Sequence, residues 1–120
     1  MPKELSPTSS KELQAKRWLA LLVQVIKRNL NNQSLPLSQL ALKMNMSERC
    51  LHYKVKKLTG TTPAKFINEF RLQKAKELLI TRTYLTVKEV SFAVGFQKTS
   101  YFSQLYQKKF GCRPSKHLQF

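Results

Sequence analysis

Cysteine, histidine and long apolar runs are all scarce in this chain of 120 residues. The two cysteines, Cys50 and Cys112, and the two histidines, His52 and His117, form no CxxC pair. This count excludes a disulfide framework, a zinc finger and a CxxC redox centre. No apolar run reaches the length of about 18 residues that spans a membrane, and the N-terminal MPKELSPTSS has no signal-peptide core. We therefore expect a soluble, cytoplasmic protein with no metal and no cofactor.

Acidic residues are few as well. The chain has 22 Lys and Arg against 6 Asp and Glu, a formal net charge of +16, while 42% of it is hydrophobic. That hydrophobic share is too high for a disordered chain, and a chain of this length buries roughly two-thirds of its unfolded surface. The positive charge favours a polyanionic partner, either nucleic acid or an anionic membrane surface, without choosing between them.

Glycine occurs only three times, and alternating runs of β-branched residues are missing, so the sequence predicts an all-α fold. Residues 1–9, rich in Pro, Ser and Thr, are predicted to form a flexible stub. The six predicted helices span about 10–31, 37–44, 47–58, 63–79, 86–95 and 99–110. Their ends carry capping signals, namely Ser9 with Glu12, Ser47, Gly60, Thr62 before Pro63, Thr86 with Glu89, and Gly111.

An internal repeat relates the two halves of the chain at an offset of 50 residues, and of 51 after one insertion. Each copy reads as a short helix, a tight turn, a longer helix and then Gly-x-x-Pro. Asn45 and Gly95 occupy equivalent turn positions, and both residue types tolerate positive φ. Two such helix pairs describe helix-turn-helix units, whose second helix enters the major groove of DNA.

The exposed faces of the two longer helices are the candidate base-reading surfaces. Leu51, Val55 and Leu58 form the predicted buried stripe of the first, so its opposite face is basic. The candidate base contacts are Arg49, His52, Tyr53 and Lys56 on the first helix and, through the repeat, Thr99, Ser100, Ser103 and Gln104 on the second. Candidate phosphate contacts flank these faces: Ser47, Lys57, Arg71, Lys98, Gln107 and Lys108.

Taken together, these residues resemble the DNA-binding domain of the AraC/XylS family of bacterial transcription regulators over about residues 15–118. The resemblance is carried by Arg71-Leu72 with Ala75 and Leu78-Leu79, by VKEVSFAVGF from Val87, by SYFSQLYQKKFG from Ser100, and by LSQLALKMNMSERCLHYKVKKLTG from Leu37. It implies two homeodomain-like helix-turn-helix subdomains, residues 10–62 and 81–120, joined by a long linker helix, residues 63–80.

The resemblance also implies a function. Two recognition helices would enter successive major-groove segments, about 34 Å apart, on double-stranded DNA with a bipartite site. It implies RNA polymerase as a further partner. Tyr53 and Gln104 stand where the family often has Arg or Lys, and glutamine reads adenine in a bidentate way. The chain fits both a fragment that lacks a sensing domain and a complete short member of the family.

Two other classes of function are weighed against sequence-specific DNA binding. One is non-specific binding to RNA or to an anionic membrane surface, which the charge alone allows. The other is an enzyme, including the alkyl-transfer proteins that carry an AraC-like segment. Such an enzyme needs an activated thiol, whereas Cys50 and Cys112 are interpreted as structural thiols. We therefore predict no catalytic residues.

Overall fold

The computed structural model describes residues 7–30 and 35–118, and these residues form seven α-helices. The helices are α1 (Pro7–Arg28), α2 (Leu37–Lys43), α3 (Glu48–Thr59), α4 (Pro63–Ile80), α5 (Val87–Ala93), α6 (Thr99–Phe110) and α7 (Pro114–His117). The all-α fold predicted from the sequence is confirmed, and α2–α3 and α5–α6 are the two helix-turn-helix pairs. The short α7 was not predicted, although Pro114 repeats the position of Pro63.

The predicted first helix differs from α1 at both ends. It begins at Pro7, where proline is tolerated because the first turn has no intrahelical partner for its amide. Ser9 therefore lies inside the helix and is not its N-cap. The helix ends at Arg28, and Asn29 closes it by donating from Nδ2 to the carbonyl oxygen of Val25 at 2.7 Å. The rest of the predicted stub, residues 1–6, and the expected end at Asn31 and Asn32 lie outside the described residues.

The predicted N-caps Ser47, Thr62 and Thr86 all form, whereas α5 ends at Ala93, two residues before the predicted end at Gly95. Ser47 Oγ accepts a hydrogen bond from the Cys50 amide at 3.1 Å, and Thr62 Oγ1 accepts one from Lys65 at 3.3 Å. Thr86 and Glu89 make a reciprocal capping box. These bonds satisfy amides that an α-helix leaves without partners at its start, so each helix begins at a fixed residue.

The two turns within the helix pairs have the same geometry. Asn45 has φ 58° and Gly95 has φ 97°, which confirms the expected positive φ at both positions. The Met46 amide donates to Ala41 O at 3.0 Å, and the Phe96 amide donates to Ser91 O at 2.9 Å. The internal repeat of the sequence is therefore a repeat of structure.

Two separate hydrophobic cores lie on either side of α4. The first collects Leu22, Ile26, Leu30, Leu35, Leu40, Ala41, Met44, Leu51, Val55 and Ile67, and the second collects Leu72, Ala75, Leu79, Val90, Val94, Phe96, Phe102 and Tyr106. α4 contributes Ile67 to the first core and Leu72 to the second. In the described chain, α4 is the helix that packs broadly against both α1–α3 and α5–α7. It therefore joins two units, here termed unit one (α1–α3) and unit two (α5–α7).

Candidate nucleic-acid interface

The outer face of α3 carries the four predicted base contacts together in solvent. Arg49, His52, Tyr53 and Lys56 are all exposed, whereas Leu51 and Val55 on the inner side are fully buried. Tyr53 is 66% exposed, an unusual degree for an aromatic side chain, and Lys57 Nζ lies 5.8 Å from its ring centroid. The buried stripe thus fixes which side of α3 faces outward, and that side is basic and rich in hydrogen-bond donors.

The outer face of α6 is polar and smaller than predicted. Ser100 and Gln104 are exposed, and Ser103 is half-buried. Thr99 is also half-buried, and its hydroxyl forms a 3.0 Å hydrogen bond with the hydroxyl of the buried Ser91. The hydroxyl of Thr99 is therefore engaged toward the core, and of the four predicted base contacts on α6 only Ser100 and Gln104 are fully exposed.

Five of the six predicted phosphate contacts are exposed. They are Ser47, Lys57, Lys98, Gln107 and Lys108. Lys98 immediately precedes α6, whose first amides receive no side-chain cap. Free amides and the positive end of the helix dipole attract anions, so this end of α6 and Lys98 can share one phosphate.

Arg71 corrects the prediction at the sixth position. It is only 5% exposed, and its Nη1 donates to the carbonyl oxygens of Leu30 and Val94, each at 2.6 Å. Burial lowers the pKa of Arg71 from its usual value. A guanidinium held inside the protein by two main-chain carbonyls does not reach a DNA phosphate, so Arg71 is not part of this surface.

Four of the six glutamates lie in the first turn of a helix or beside a lysine. Glu48 is in the first turn of α3 and Glu89 belongs to the capping box of α5. Glu69 of α4 pairs with Lys109 of α6, and Glu77 lies 3.8 Å from Lys74 on α4. With 22 Lys and Arg against 6 acidic residues in the chain, the surface formed by the described residues is strongly positive.

Sequence reasoning missed an apolar groove along one flank of α3. Its volume is about 510 Å³, and Met46, Cys50 and Leu58 line it together with Tyr53 and the basic residues Arg49, Lys54 and Lys57. Cys50 is exposed there, although it follows the core stripe of α3 closely in sequence. The four-residue spacing of 46, 50, 54 and 58 is the signal that predicts this flank.

Three titratable side chains, Tyr106, Cys112 and His117, lie together where α6 packs against α7. Tyr106 Oη lies 2.5 Å from His117 Nδ1, and Cys112 Sγ lies 3.6 Å from His117 Nε2. Burial, followed by the nearby Cys112, raises the pKa of Tyr106 to about 12. Within residues 7–30 and 35–118, no three His, Cys, Asp or Glu side chains come together as a metal-binding group would require.

A protein-family model described as a helix-turn-helix domain matches residues 40–119 of the 120 in the chain. A transcriptional regulator from Chromobacterium violaceum with an AraC-type DNA-binding domain superposes with a TM-score of 0.79 at 25% identity. The match covers 88% of this chain and 93% of that one. The chain belongs to the family of AraC-type DNA-binding domains. None of the helices described for this AraC-type domain has both the length and the apolar character needed to cross a membrane.

Two relatives show how this AraC-type domain occurs in longer proteins. The transcriptional activator NphR of Rhodococcus is 36% identical over 110 residues, which are 92% of this chain and 32% of NphR. Histidine kinase P4 of Formosa agariphila is 31% identical over 116 residues, 97% of this chain but only 8% of the kinase. The chain therefore spans about a third or less of the length of these relatives. Its similarity to the kinase is confined to 116 residues, about the length of this domain.

A solved structure connects this fold with DNA. The DNA-binding domain of AdpA, a global transcriptional factor determined in complex with a target DNA, superposes with a TM-score of 0.75 at 27% identity. The superposition covers 83% of this chain and 88% of the AdpA domain. Most of this AraC-type domain therefore has a counterpart fold that has been determined with DNA.

Proposed function

We propose that the chain is the sequence-specific, double-stranded DNA-binding module of an AraC-family transcription regulator. The observation that carries the proposal is the repeated helix-turn-helix geometry, in which α3 and α6 each bury one face and expose a polar one. The likeness to the DNA-bound AdpA domain supports it. In this proposal α3 and α6 enter successive major-groove segments of a bipartite site, one helical turn apart.

The two helices would read bases by different chemistry. On α3, Arg49 and Lys56 carry donors suited to the O6 and N7 acceptors of guanine, while the exposed ring of Tyr53 offers an apolar contact to the thymine methyl group. On α6, the Gln104 amide has the donor and acceptor that match N7 and N6 of adenine. His52, Ser100 and Ser103 complete the two faces.

Phosphate contacts would supply most of the affinity. The exposed residues Ser47, Lys57, Lys98, Gln107 and Lys108 lie at or beside the ends of the two reading helices. Every phosphate neutralised releases condensed counterions, so six to ten contacts lower the affinity by about a thousandfold or more between 50 and 200 mM salt. A net charge of +16, with 22 Lys and Arg against 6 acidic residues, suits this role.

Two relatives described as transcriptional activators support a role in transcription activation. NphR is a transcriptional activator, and RhaS of Escherichia coli, 34% identical over 74 residues, is a helix-turn-helix transcriptional activator. We propose that the module acts in activation, with RNA polymerase as a protein partner and with signal sensing assigned to regions outside the domain. No catalytic step is part of the proposal.

Binding to RNA or to a membrane surface is the less favoured alternative. A single-strand platform stacks successive bases on neighbouring exposed rings. Here Phe102 and Tyr106 are fully buried, and the exposed rings of Tyr53, Phe92 and Tyr101 belong to three different helices. An interfacial helix needs a free apolar face, and the inner faces of α1 and α4 are used in the two cores.

Competition experiments test the proposal directly. Duplexes enriched from a random pool should bind at physiological salt at least about a thousandfold more tightly than random duplex. Single-stranded RNA and vesicles of anionic phospholipid should not displace them. Equal affinity for random duplex, or displacement by either competitor at similar concentration, contradicts the proposal. A slope of log Kd against log salt that is near zero contradicts the phosphate contacts.

A further inference from the structure

The middle of α4, where unit one meets unit two, contains a buried cation; this region is here called the joint. In α4, Ile67 belongs to the first hydrophobic core and Leu72 to the second. Arg71 lies between these two residues in the sequence and is only 5% exposed. A buried charge is costly unless hydrogen bonds compensate for its lost hydration. The position of Arg71 therefore has to be understood from its partners.

Those partners come from both units. Leu30 O lies in the turn two residues after the end of α1 in unit one, and Val94 O lies in the turn after α5 in unit two. Arg71 Nη1 donates to both at 2.6 Å, and a charged donor makes the stronger class of hydrogen bond. Val94 is the C-cap of α5, and carbonyl groups at this end of a helix carry partial negative charge, so a cation binds there favourably. One guanidinium nitrogen of α4 thus ties α1 to the turn of unit two.

The same turn lies directly against this nitrogen. A Cβ placed on Gly95 would come within 1.4 Å of Arg71 Nη1 and 2.2 Å of Leu30 O. Unit two therefore contacts the end of α1 so closely that no side chain fits between them. Among the described residues, broad packing between the units otherwise runs through α4.

We propose that Arg71 is a positioning residue that fixes the orientation of unit two relative to unit one, and with it the orientation of α6 relative to α3. This inference rests on the proposed function, because it concerns the alignment of two reading helices on one duplex. Without the bond, α4 still holds both cores, but the angle between the units is less restricted. If only about a tenth of the molecules keep the aligned arrangement, the apparent Kd for a bipartite site rises about tenfold.

A measurement without DNA tests the joint itself. Spin labels are placed on the native Cys50 in α3 and on Gln107→Cys in α6, in a Cys112→Ser background, and the distance distribution is measured by double electron–electron resonance. We expect one narrow distribution for the parent, a clearly broader one for Arg71→Met and an intermediate one for Arg71→Lys. The exposed Gln73→Met on the same helix is the control and should match the parent.

Circular dichroism shows whether each variant is folded. If Arg71→Met is unfolded, the comparison is made with Arg71→Lys instead. An unchanged distribution in every folded Arg71 variant overturns the proposal.

A second measurement uses DNA and separates alignment from stability. The unlabelled chain, Arg71→Met and Arg71→Lys are titrated with duplexes that contain one half-site or two, with the spacing of the two varied by single base pairs. We expect Arg71→Met to bind one half-site within about twofold of the parent, to bind two about tenfold more weakly, and to lose its spacing preference. An equal loss on both duplexes means a purely structural role and refutes the inference.

The two measurements also separate this inference from the proposed function. A parent with a narrow distance distribution and no preference for two half-sites contradicts two-helix docking but leaves the role of Arg71 in the joint intact. A parent that prefers two half-sites, together with an Arg71→Met variant that keeps the same preference, contradicts the inference alone.

Discussion

Replacing Gly95 with alanine puts the packing between the two units to a quantitative test. Three glycines of the chain have positive φ: Gly60 at 79°, Gly95 at 97° and Gly111 at 80°. A Cβ at Gly60 or Gly111 meets no atom within 4 Å, whereas at Gly95 it meets Arg71 Nη1 and the backbone oxygen of Leu30. The chain thus supplies two matched controls for the backbone strain of the substitution.

The structure gives the expected sizes of the two effects. A side chain in the left-handed region costs roughly 1–2 kcal/mol, which is the whole effect expected for Gly60→Ala and Gly111→Ala. Gly95→Ala also displaces the guanidinium of Arg71 from two carbonyls, and hydrogen bonds to a charged group are worth about 1.5–3 kcal/mol each. We expect a total loss of about 4–8 kcal/mol, a large part of the roughly 6–18 kcal/mol expected for a domain of this size.

Urea unfolding followed by circular dichroism at 222 nm measures the free energy of unfolding of all three variants. Gly60→Ala and Gly111→Ala should unfold cooperatively at slightly lower urea, and Gly95→Ala should unfold at much lower urea or be partly unfolded in buffer. A Gly95→Ala variant as stable as Gly60→Ala would show that Arg71 and Leu30 do not pack against this turn as described.

Three further predictions concern base reading, phosphate contact and proton binding. Gln104→Ala should weaken binding to the preferred duplex by about 1–3 kcal/mol and relax base selection at one base pair. Competition among duplexes with single-base changes measures this selection, and unchanged selection at that base pair contradicts a reading role. Lys57→Ala should weaken binding to all duplexes alike and reduce the slope of log Kd against log salt by about one. The control Lys74→Ala, at an exposed lysine of α4, should change neither the affinity nor this slope. Equal effects of the two substitutions contradict a specific phosphate contact by Lys57. Burial, then the nearby Cys112, raises the pKa of Tyr106 to about 12, whereas a value near 10 is expected in the unfolded chain. The stability that the protonated Tyr106 contributes to the fold is therefore complete below pH 10 and is lost as the pH rises to 12. The absorbance titration of the parent minus that of Tyr106→Phe should have its midpoint near pH 12, and a midpoint near 10 contradicts the burial of this hydroxyl.

The helix ends and the repeat were predictable because their causes are local. Ser47, Thr62 and Thr86 cap helices through residues three positions away, and Asn45 and Gly95 take positive φ within their own turns. The exposed face of α3 follows from the buried stripe of the same helix. Each of these features depends on side chains that are close in sequence, and a pattern reveals them.

The role of Arg71 was not predictable because its partners are distant in sequence. Leu30 and Val94 lie 41 and 23 residues away, and both contribute main-chain carbonyls that carry no sequence signal. A basic residue on α4 was therefore assigned to DNA when it belongs to the interior. The bond between Thr99 and Ser91 was missed for a similar reason, since it depends on how closely α6 packs against α5.

The spacing of bases in the preferred DNA site tests the central claim, that this domain reads DNA with both α3 and α6. Sequences selected by the chain from random duplex, read by deep sequencing, should contain two short blocks whose centres lie about 10 to 11 base pairs apart. Lys56→Ala should alter one block, and Gln104→Ala the other. A single compact block that responds to only one of these substitutions would contradict reading by two helices.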